Sequence, residues 1–155
     1  MTPALRRRFH VFAALLVLAL PLAACGEDKA ATFQKDFKPL NAKIIALGRD
    51  VASSIKGASG KSDRQIEQQF SSLSGRTAAL QKDVDRLEPP DDLAAAKKGL
   101  VDAMGDTRDA LRDISKAAGA GDPQAARGAT IQLVAASQDL RSGRRKLARA
   151  TRAKQ

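Results

Sequence analysis

The chain has very few of the side chains that usually carry catalysis, metal binding or base stacking. Among its 155 residues there is no tryptophan or tyrosine, and there is one histidine and one cysteine. The histidine is His10, close to the N-terminus, so the rest of the chain lacks the commonest general base and cannot form Ser–His or Cys–His nucleophile pairs. A Ser–Lys pair remains conceivable, but no arrangement of these residues stands out. We therefore predict a protein that is not an enzyme and holds no cofactor.

The first 25 residues have the layout of an export signal. Arg6, Arg7 and Arg8 form a positive segment, residues 11–20 are an unbroken apolar run, and small residues precede the only cysteine in Leu22-Ala23-Ala24-Cys25. This order is typical of a cleaved signal peptide. A membrane-spanning anchor is the alternative, but the apolar run is shorter than the ~20 residues needed to cross a bilayer. Pro21 also interrupts it.

The four residues that end in Cys25 resemble a bacterial lipobox. In lipoproteins with this motif, the cysteine sulfur receives a diacylglyceryl group and the chain is cut just before it. The resemblance implies that residues 1–24 are removed, that Cys25 is the lipid attachment site, and that residues 25–30 form a short tether. It also implies a lipid-anchored protein on the extracytoplasmic face of the cell membrane. The alternative is that Cys25 is an ordinary thiol without a disulfide partner.

The positive charge is concentrated at the C-terminus. The chain has 27 basic and 17 acidic residues, and removal of the signal takes away only three arginines, which leaves a net charge of +7. Residues 25–140 are neutral overall. The whole excess lies in seven residues without an acidic neighbour, namely Arg141, Arg144, Arg145, Lys146, Arg149, Arg152 and Lys154. They predict a local contact with an anionic surface. Lysine and arginine that only complement a helix C-terminus are the simpler alternative.

Apolar residues recur at alternating steps of three and four in four consecutive segments, which is the period of an α-helix. The pattern predicts helices at residues 31–57, 63–88, 91–118 and 123–152. Ser62 with Gln65 has the spacing of a capping box, and Asp122 before Pro123 has that of an N-cap followed by a first-turn proline. Asp91 or Asp92 is expected to cap the third helix. Pro39 should begin the first regular helix or kink a longer one.

Similar helix lengths and short connections predict an all-α, up-down-up-down antiparallel four-helix bundle over residues 31–155. We expect the large residues of the first helix to face the alanines and Gly143 of the fourth, because facing positions must share a limited volume. The bundle should be a monomer. Its fourth helix should end where the first begins, which brings the basic residues close to Cys25.

Two other motifs are weaker candidates for a site. Asp102, Asp106, Asp109 and Asp113 recur at helical spacing, but they fall on the predicted outer face beside basic residues, so we expect a solvated surface and no metal site. The segment from Gly57 to Ser62 ends like a phosphate-binding loop. Its glycines are too close together for that motif and a helix precedes it, so a flexible turn is the better interpretation.

The Leu87-Glu88-Pro89-Pro90 break and the Gly121-Asp122 turn resemble those of small helical lipoproteins of uncharacterised function from high-GC Gram-positive bacteria. That resemblance implies no known activity. We predict a non-enzymatic binding or interaction protein of the cell envelope, with an unidentified envelope protein or polymer as partner and no specific nucleic acid. Two alternatives stay open. The bundle could carry a small apolar ligand in a cavity lined by Thr77, Thr107 and the small residues of the fourth helix, or the basic tail could bind polyanions.

Overall fold

Residues 24–152 are described in a computed structural model, with side chains from residue 29 onward. This part of the chain forms four α-helices, α1 (Ala24–Lys56), α2 (Asp63–Asp85), α3 (Asp91–Gly119) and α4 (Pro123–Arg152), with a 3-10 turn (Ala58–Gly60) between α1 and α2. No strand occurs within these residues. The prediction of an all-α four-helix bundle is confirmed. Residues 1–23 of the predicted signal peptide (1–24) and Lys154 lie outside the described residues.

Two of the helix starts have the caps that the sequence predicts. Ser62 Oγ accepts a hydrogen bond from the Gln65 amide at 3.4 Å, and Gln65 Oε1 accepts from the Ser62 amide at 3.0 Å, which completes a capping box. At the start of α4, Asp122 Oδ1 accepts from the Gln124 and Ala125 amides at 3.0 and 2.9 Å. These bonds satisfy amides that have no partner within the first turn of a helix.

The start of α3 differs from the prediction. Pro90 occupies the N-cap position without a side-chain hydrogen bond, and Asp91 and Asp92 lie inside the first turn, so neither is the N-cap residue. Their carboxylates are still near the positive end of the helix dipole. At the other end of α3, Gly121 adopts a φ of 63°, and the Asp122 and Gly121 amides donate to Ala117 and Ala118. This is a Schellman turn, which glycine forms without strain.

The first helix begins earlier than expected, and the second ends earlier. Residues 25–30, predicted as a tether, are part of α1, which continues through Pro39. A proline removes one helical hydrogen bond, but Pro39 is on the exposed side of α1 and the helix does not end there. The second helix ends at Asp85 instead of residue 88. Glu88, directly before Pro89, is the residue at which helical geometry is disfavoured.

Polar contacts between neighbouring helices show the antiparallel order. Ser115 Oγ donates to the Glu67 carbonyl at 2.9 Å and Ser74 Oγ to the Arg108 carbonyl at 3.0 Å, so α3 runs opposite to α2. Arg76 forms an ion pair with Asp50 of α1 at 2.6 Å. Arg144 Nη1 donates to Asn41 Oδ1 of α1 at 3.2 Å. The last contact places the final third of α4 beside the middle of α1, as an antiparallel up-down-up-down bundle requires.

The predicted apolar stripes form the core. Buried side chains come from all four helices, and the largest of the fully buried ones include Phe33, Leu100, Met104, Leu111, Leu133 and Leu147. Phe33 stacks on Phe37 with ring centroids 5.9 Å apart. Every buried side chain in the described region lies between Phe33 and Thr151. A chain that begins at Gly26 therefore keeps the complete core seen here.

The helices are not equally close to one another. The α3 helix packs closely on both α2 and α4, whereas α1 approaches α4 much less. A Cβ atom placed on Gly143 would be 3.4 Å from the Leu100 Cα atom of α3. The expectation that Gly143 faces the large residues of α1 is therefore wrong. The glycine instead lets α4 approach the backbone of α3.

Candidate functional site: a basic helix face and an adjoining groove

The basic tail predicted from the sequence forms the last turns of α4. Arg141, Arg145, Arg149 and Arg152 are all exposed, and at 3.6 residues per turn they fall within an arc of about 80° around the helix. We call these four residues the basic face. Lys146 is exposed outside this arc, and Arg144 is half-buried on the side of α1. Helical spacing thus brings four of the seven predicted residues together.

The charges of the basic face are not neutralised by neighbouring acids. The ion pairs among the described residues involve side chains of α1, α2, α3 and the α2 C-cap, and none includes a residue of the basic face. The one acidic residue within α4 is Asp139. Four unpaired guanidinium groups close together produce a positive potential, which attracts anionic groups over about 10 Å at moderate salt.

Two of the four aspartates in the α3 row, Asp102 and Asp109, are paired with basic residues. Asp102 pairs with Lys98 at 2.7 Å, and Asp109 pairs with Arg108 and Arg112 at 2.9 Å each. The hydrogen bond from Arg108 lowers the pKa of the Asp109 carboxyl, against the opposing effect of partial desolvation. Within the described part of the chain, no group of three or more potential ligands could hold a metal ion. Asp102 and Asp106 are exposed on the outer face, as the spacing predicts.

An open groove lies between α1 and α4, beside the basic face. Its volume is about 400 Å³, and its walls include Ile44, Leu47, Val51, Ile55 and Val134. The groove remains open because small or flexible residues line both sides. A Cβ atom on Gly48 would have no neighbour within 4 Å, and Ser137 and Gln138 occupy the facing positions of α4.

The predicted lining of a ligand cavity is only partly correct. Thr107 does contribute to the groove, but Thr77 and Gly143 do not. Both threonines are buried, and their hydroxyls donate to backbone carbonyls four residues earlier, at 2.8 Å. Sequence reasoning missed the groove itself. Ile131 and Val134 are apolar residues of α4 that lie outside its core stripe and are 73% and 49% exposed. Their position was the one available signal in the sequence.

The other predicted site residue is Cys25, which lies in the first turn of α1. The Arg144 to Asn41 contact fixes the register between α1 and α4. At a rise of 1.5 Å per residue, Cys25 is about 24 Å before Asn41 and Arg152 is about 12 Å after Arg144. The start of α1 therefore extends about 12 Å beyond the end of α4. None of the helices within residues 24–152 combines the length and apolar character of a membrane span.

Comparisons of this chain with protein-family models, with curated proteins and with solved structures gave no match. The assignment of a function therefore depends on the residues and the geometry described above.

Proposed function

We propose that this protein is a lipid-anchored, non-enzymatic protein on the outer face of the cytoplasmic membrane, where its basic face binds anionic headgroups. The observation that carries the proposal is the unpaired basic face at the end of α4. The start of α1 lies at the same end of the bundle and extends beyond it. The lipobox resemblance of Leu22-Ala23-Ala24-Cys25 supplies the anchor at that same end. Anchor and basic face then act on the same membrane surface.

The charges at this end of the bundle favour one orientation. The basic face lies on α4, whereas the connection between α2 and α3 and the helix ends beside it hold four acidic residues, Asp85, Glu88, Asp91 and Asp92, against Arg86 and the Lys97 that pairs with Asp85. An anionic surface attracts the first group and repels the second. The bundle should therefore tilt so that α4 lies against the headgroups and the α2–α3 connection points away. The turns at residues 57–62 and 120–122, at the opposite end, remain accessible to an envelope partner.

The expected binding energies indicate that the basic face orients the protein on the membrane and is not needed to attach it. A basic residue near an anionic membrane contributes about 1 kcal/mol, and this attraction decreases within a Debye length. The two acyl chains of a diacylglyceryl group already give stable anchoring. The lipid attaches the protein at one point, and the basic face then determines which side of the bundle lies against the membrane.

Vesicle binding by the unlipidated chain 26–155 tests this role. It should bind vesicles that contain phosphatidylglycerol, release them as salt rises, and ignore neutral phosphatidylcholine vesicles. Replacing all four residues of the basic face by glutamate should abolish binding. The matched control replaces Lys56, Lys61, Arg64 and Arg127, which are exposed at the other end of the bundle, and should retain binding at the same net charge.

Three outcomes would overturn the membrane role. One is the absence of binding to anionic vesicles at low salt, and another is an equal loss in both four-residue variants. The third is binding to duplex DNA or heparin that is tighter than binding to vesicles at the same salt concentration, since this would favour a general polyanion-binding module.

Mass spectrometry of the purified full-length product tests the anchor separately. We expect a mature N-terminus at Cys25 with a mass increase that corresponds to lipid. Cys25→Ser should prevent both lipid addition and the normal cleavage. An unmodified cysteine, or an N-terminus elsewhere, would contradict the proposed location.

A further inference from the structure

We propose that the groove between α1 and α4 binds an anionic single-chain amphiphile of the fatty-acid type. In this arrangement the carboxylate lies at Arg141 and Arg144, and the acyl chain runs along the apolar walls towards Ile55. The inference does not depend on the lipid anchor, and of the basic face it uses only Arg141, which also lines the groove. It depends on the size, the polarity and the uncompensated charge of the groove.

The size of the groove suits one small ligand. Its volume of about 400 Å³ is within the range of 300 to 1,000 Å³ that is typical of small-molecule sites. The residues that line it along α4 extend from Val134 to Arg144, a distance of about 15 Å along the helix axis. The groove is therefore elongated and fits a chain better than a compact ring system.

The polarity of the groove changes along its length. Arg144 contacts Asn41, so the antiparallel register places Arg141 close to the level of Ile44 and Val134 close to that of Val51. Arg141 and Arg144 thus border one end, Arg49 lies between the two ends along α1, and the far end is lined by Val51, Ala52, Ile55 and Val134. A ligand that fills the whole groove must be charged at one end and apolar at the other.

The charge determines which amphiphile fits. The lining contains the arginines Arg49, Arg141 and Arg144 and no acidic residue. None of the three forms an ion pair with a described residue. The partner of Arg144 is the neutral Asn41 side chain, at 3.2 Å. A guanidinium group has five N–H donors and can bind a carboxylate with two of them.

Other classes of ligand match only half of the groove. A neutral apolar molecule would leave the arginines without an anion, and a compact anion would leave the apolar walls exposed to water. The hydroxyl of Thr107 does not demand a polar ligand, because it already donates to the Ala103 carbonyl at 2.8 Å. Val134, which is 49% exposed, continues the apolar wall at the far end.

Calorimetric titration of the chain 26–155 with monomeric laurate tests the proposal. We expect saturable binding of one laurate with a negative heat-capacity change, as burial of an apolar chain requires. Lauryl alcohol, with the same chain and no charge, should bind at least about tenfold more weakly, since charge-assisted hydrogen bonds are lost. Acetate and inorganic phosphate should not compete.

Two pairs of variants locate the binding site. Val134→Glu introduces a charge into the wall and should abolish laurate binding, whereas Ile131→Glu, on the same helix but outside the lining, should retain it. Arg141→Gln combined with Arg144→Gln should weaken laurate at least about tenfold and leave lauryl alcohol unchanged. Arg145→Gln combined with Arg149→Gln is the matched control. Circular dichroism should show the same helicity in every variant.

The results separate this proposal from the membrane role. Loss of vesicle binding in the Arg145 and Arg149 control, with laurate binding retained, would show that two sites share one helix. Equal binding of laurate and lauryl alcohol, or unchanged laurate binding by Val134→Glu, would overturn the proposal. So would a dimer in sedimentation that dissociates on Val134→Glu while laurate does not bind, because the groove would then be an interface between two copies.

Discussion

The contact between α3 and α4 and the contact between α1 and α4 are built from different side chains. Ala129, Ala136 and Gly143 of α4 are seven residues apart and therefore share one side of the helix, and a Cβ atom at Gly143 would be 3.4 Å from the Leu100 Cα atom of α3. Between α1 and α4, the α1 side of the groove is lined by larger residues, among them Ile44, Leu47, Val51 and Ile55. The distance between two helices depends on the size of the side chains at their contact. Small residues repeated every seven positions therefore bring α4 close to α3.

The α2–α3 contact follows the same rule as the α3–α4 contact. The side of α3 that faces α2 carries Gly105 and Gly119, where an added Cβ atom would be 3.1 Å from the Gln81 side chain and 2.9 Å from that of Glu67. Hydroxyls of Ser74 and Ser115 reach the backbone of the facing helix at 3.0 and 2.9 Å. Such bonds form only where two helices are close. The open groove beside α1 shows the opposite case, since Gly48 has no facing neighbour within 4 Å.

The largest expected effect is the loss of the core on Leu80→Asp. Leu80 is 7% exposed, and an unpaired carboxylate at this position should cost more than about 3 kcal/mol, a large part of a typical domain stability. The variant should lose cooperative thermal unfolding, as followed by circular dichroism. Val134→Asp places the same group in the groove wall and should unfold at nearly the temperature of the parent chain. A fully helical, cooperative Leu80→Asp variant would mean that this stripe is not part of the core.

An intermediate effect should distinguish the close contact from the open one. Leucine at Gly143 must displace the backbone of α3, because even a Cβ atom is 3.4 Å from the Leu100 Cα atom. Overpacking of this kind costs about 1 to 3 kcal/mol. Leucine at Gly48 projects into the groove and should cost much less. Urea denaturation of the two variants measures the difference.

Alanine at the same two positions provides the control. Gly48→Ala and Gly143→Ala should each stabilise the helix by up to about 1 kcal/mol, since alanine has the higher helix propensity and both positions have room for a Cβ atom. Destabilisation by Gly143→Ala would contradict the close but unstrained approach described here. Equal cost of leucine at both positions would contradict the difference between the two contacts.

The smallest effect concerns the outer face of α3. The hydrogen bond from Arg108 lowers the pKa of Asp109 in the folded chain. Its stabilisation is therefore fully present above the carboxyl pKa of the unfolded chain and is lost as pH falls through the lower, folded value. The Asp109 side chain is 40% exposed, so the contribution is small and decreases with salt.

Asp109→Asn should remove this contribution. Its free energy of unfolding should decrease less than that of the parent chain as pH falls from about 5 to 2. Urea titrations at a series of pH values and two salt concentrations measure the effect. Identical pH profiles for the two proteins would show that the ion pair does not stabilise the fold.

Much of the fold follows from the sequence alone. The three-and-four spacing of apolar residues determines which face of each helix is buried, and Phe70, Leu80, Leu100 and Leu133 are buried as that spacing predicts. Local chemistry determines the capping box at Ser62 and the N-cap at Asp122. The concentration of basic residues at the end of α4 is also a property of the sequence. These features depend on neighbours within one turn of the same helix.

Only the tertiary structure determines which helix each apolar face contacts and the distance between the two helices. Periodicity predicts that Gly143 is on the inner side of α4, but only the packed bundle shows that it meets Leu100 of α3 and not α1. The groove depends on Gly48 and Ser137, which are far apart in sequence and lie on facing helices. The distance between two helices is set jointly by side chains of both at one level of the bundle. No single segment of sequence contains that information.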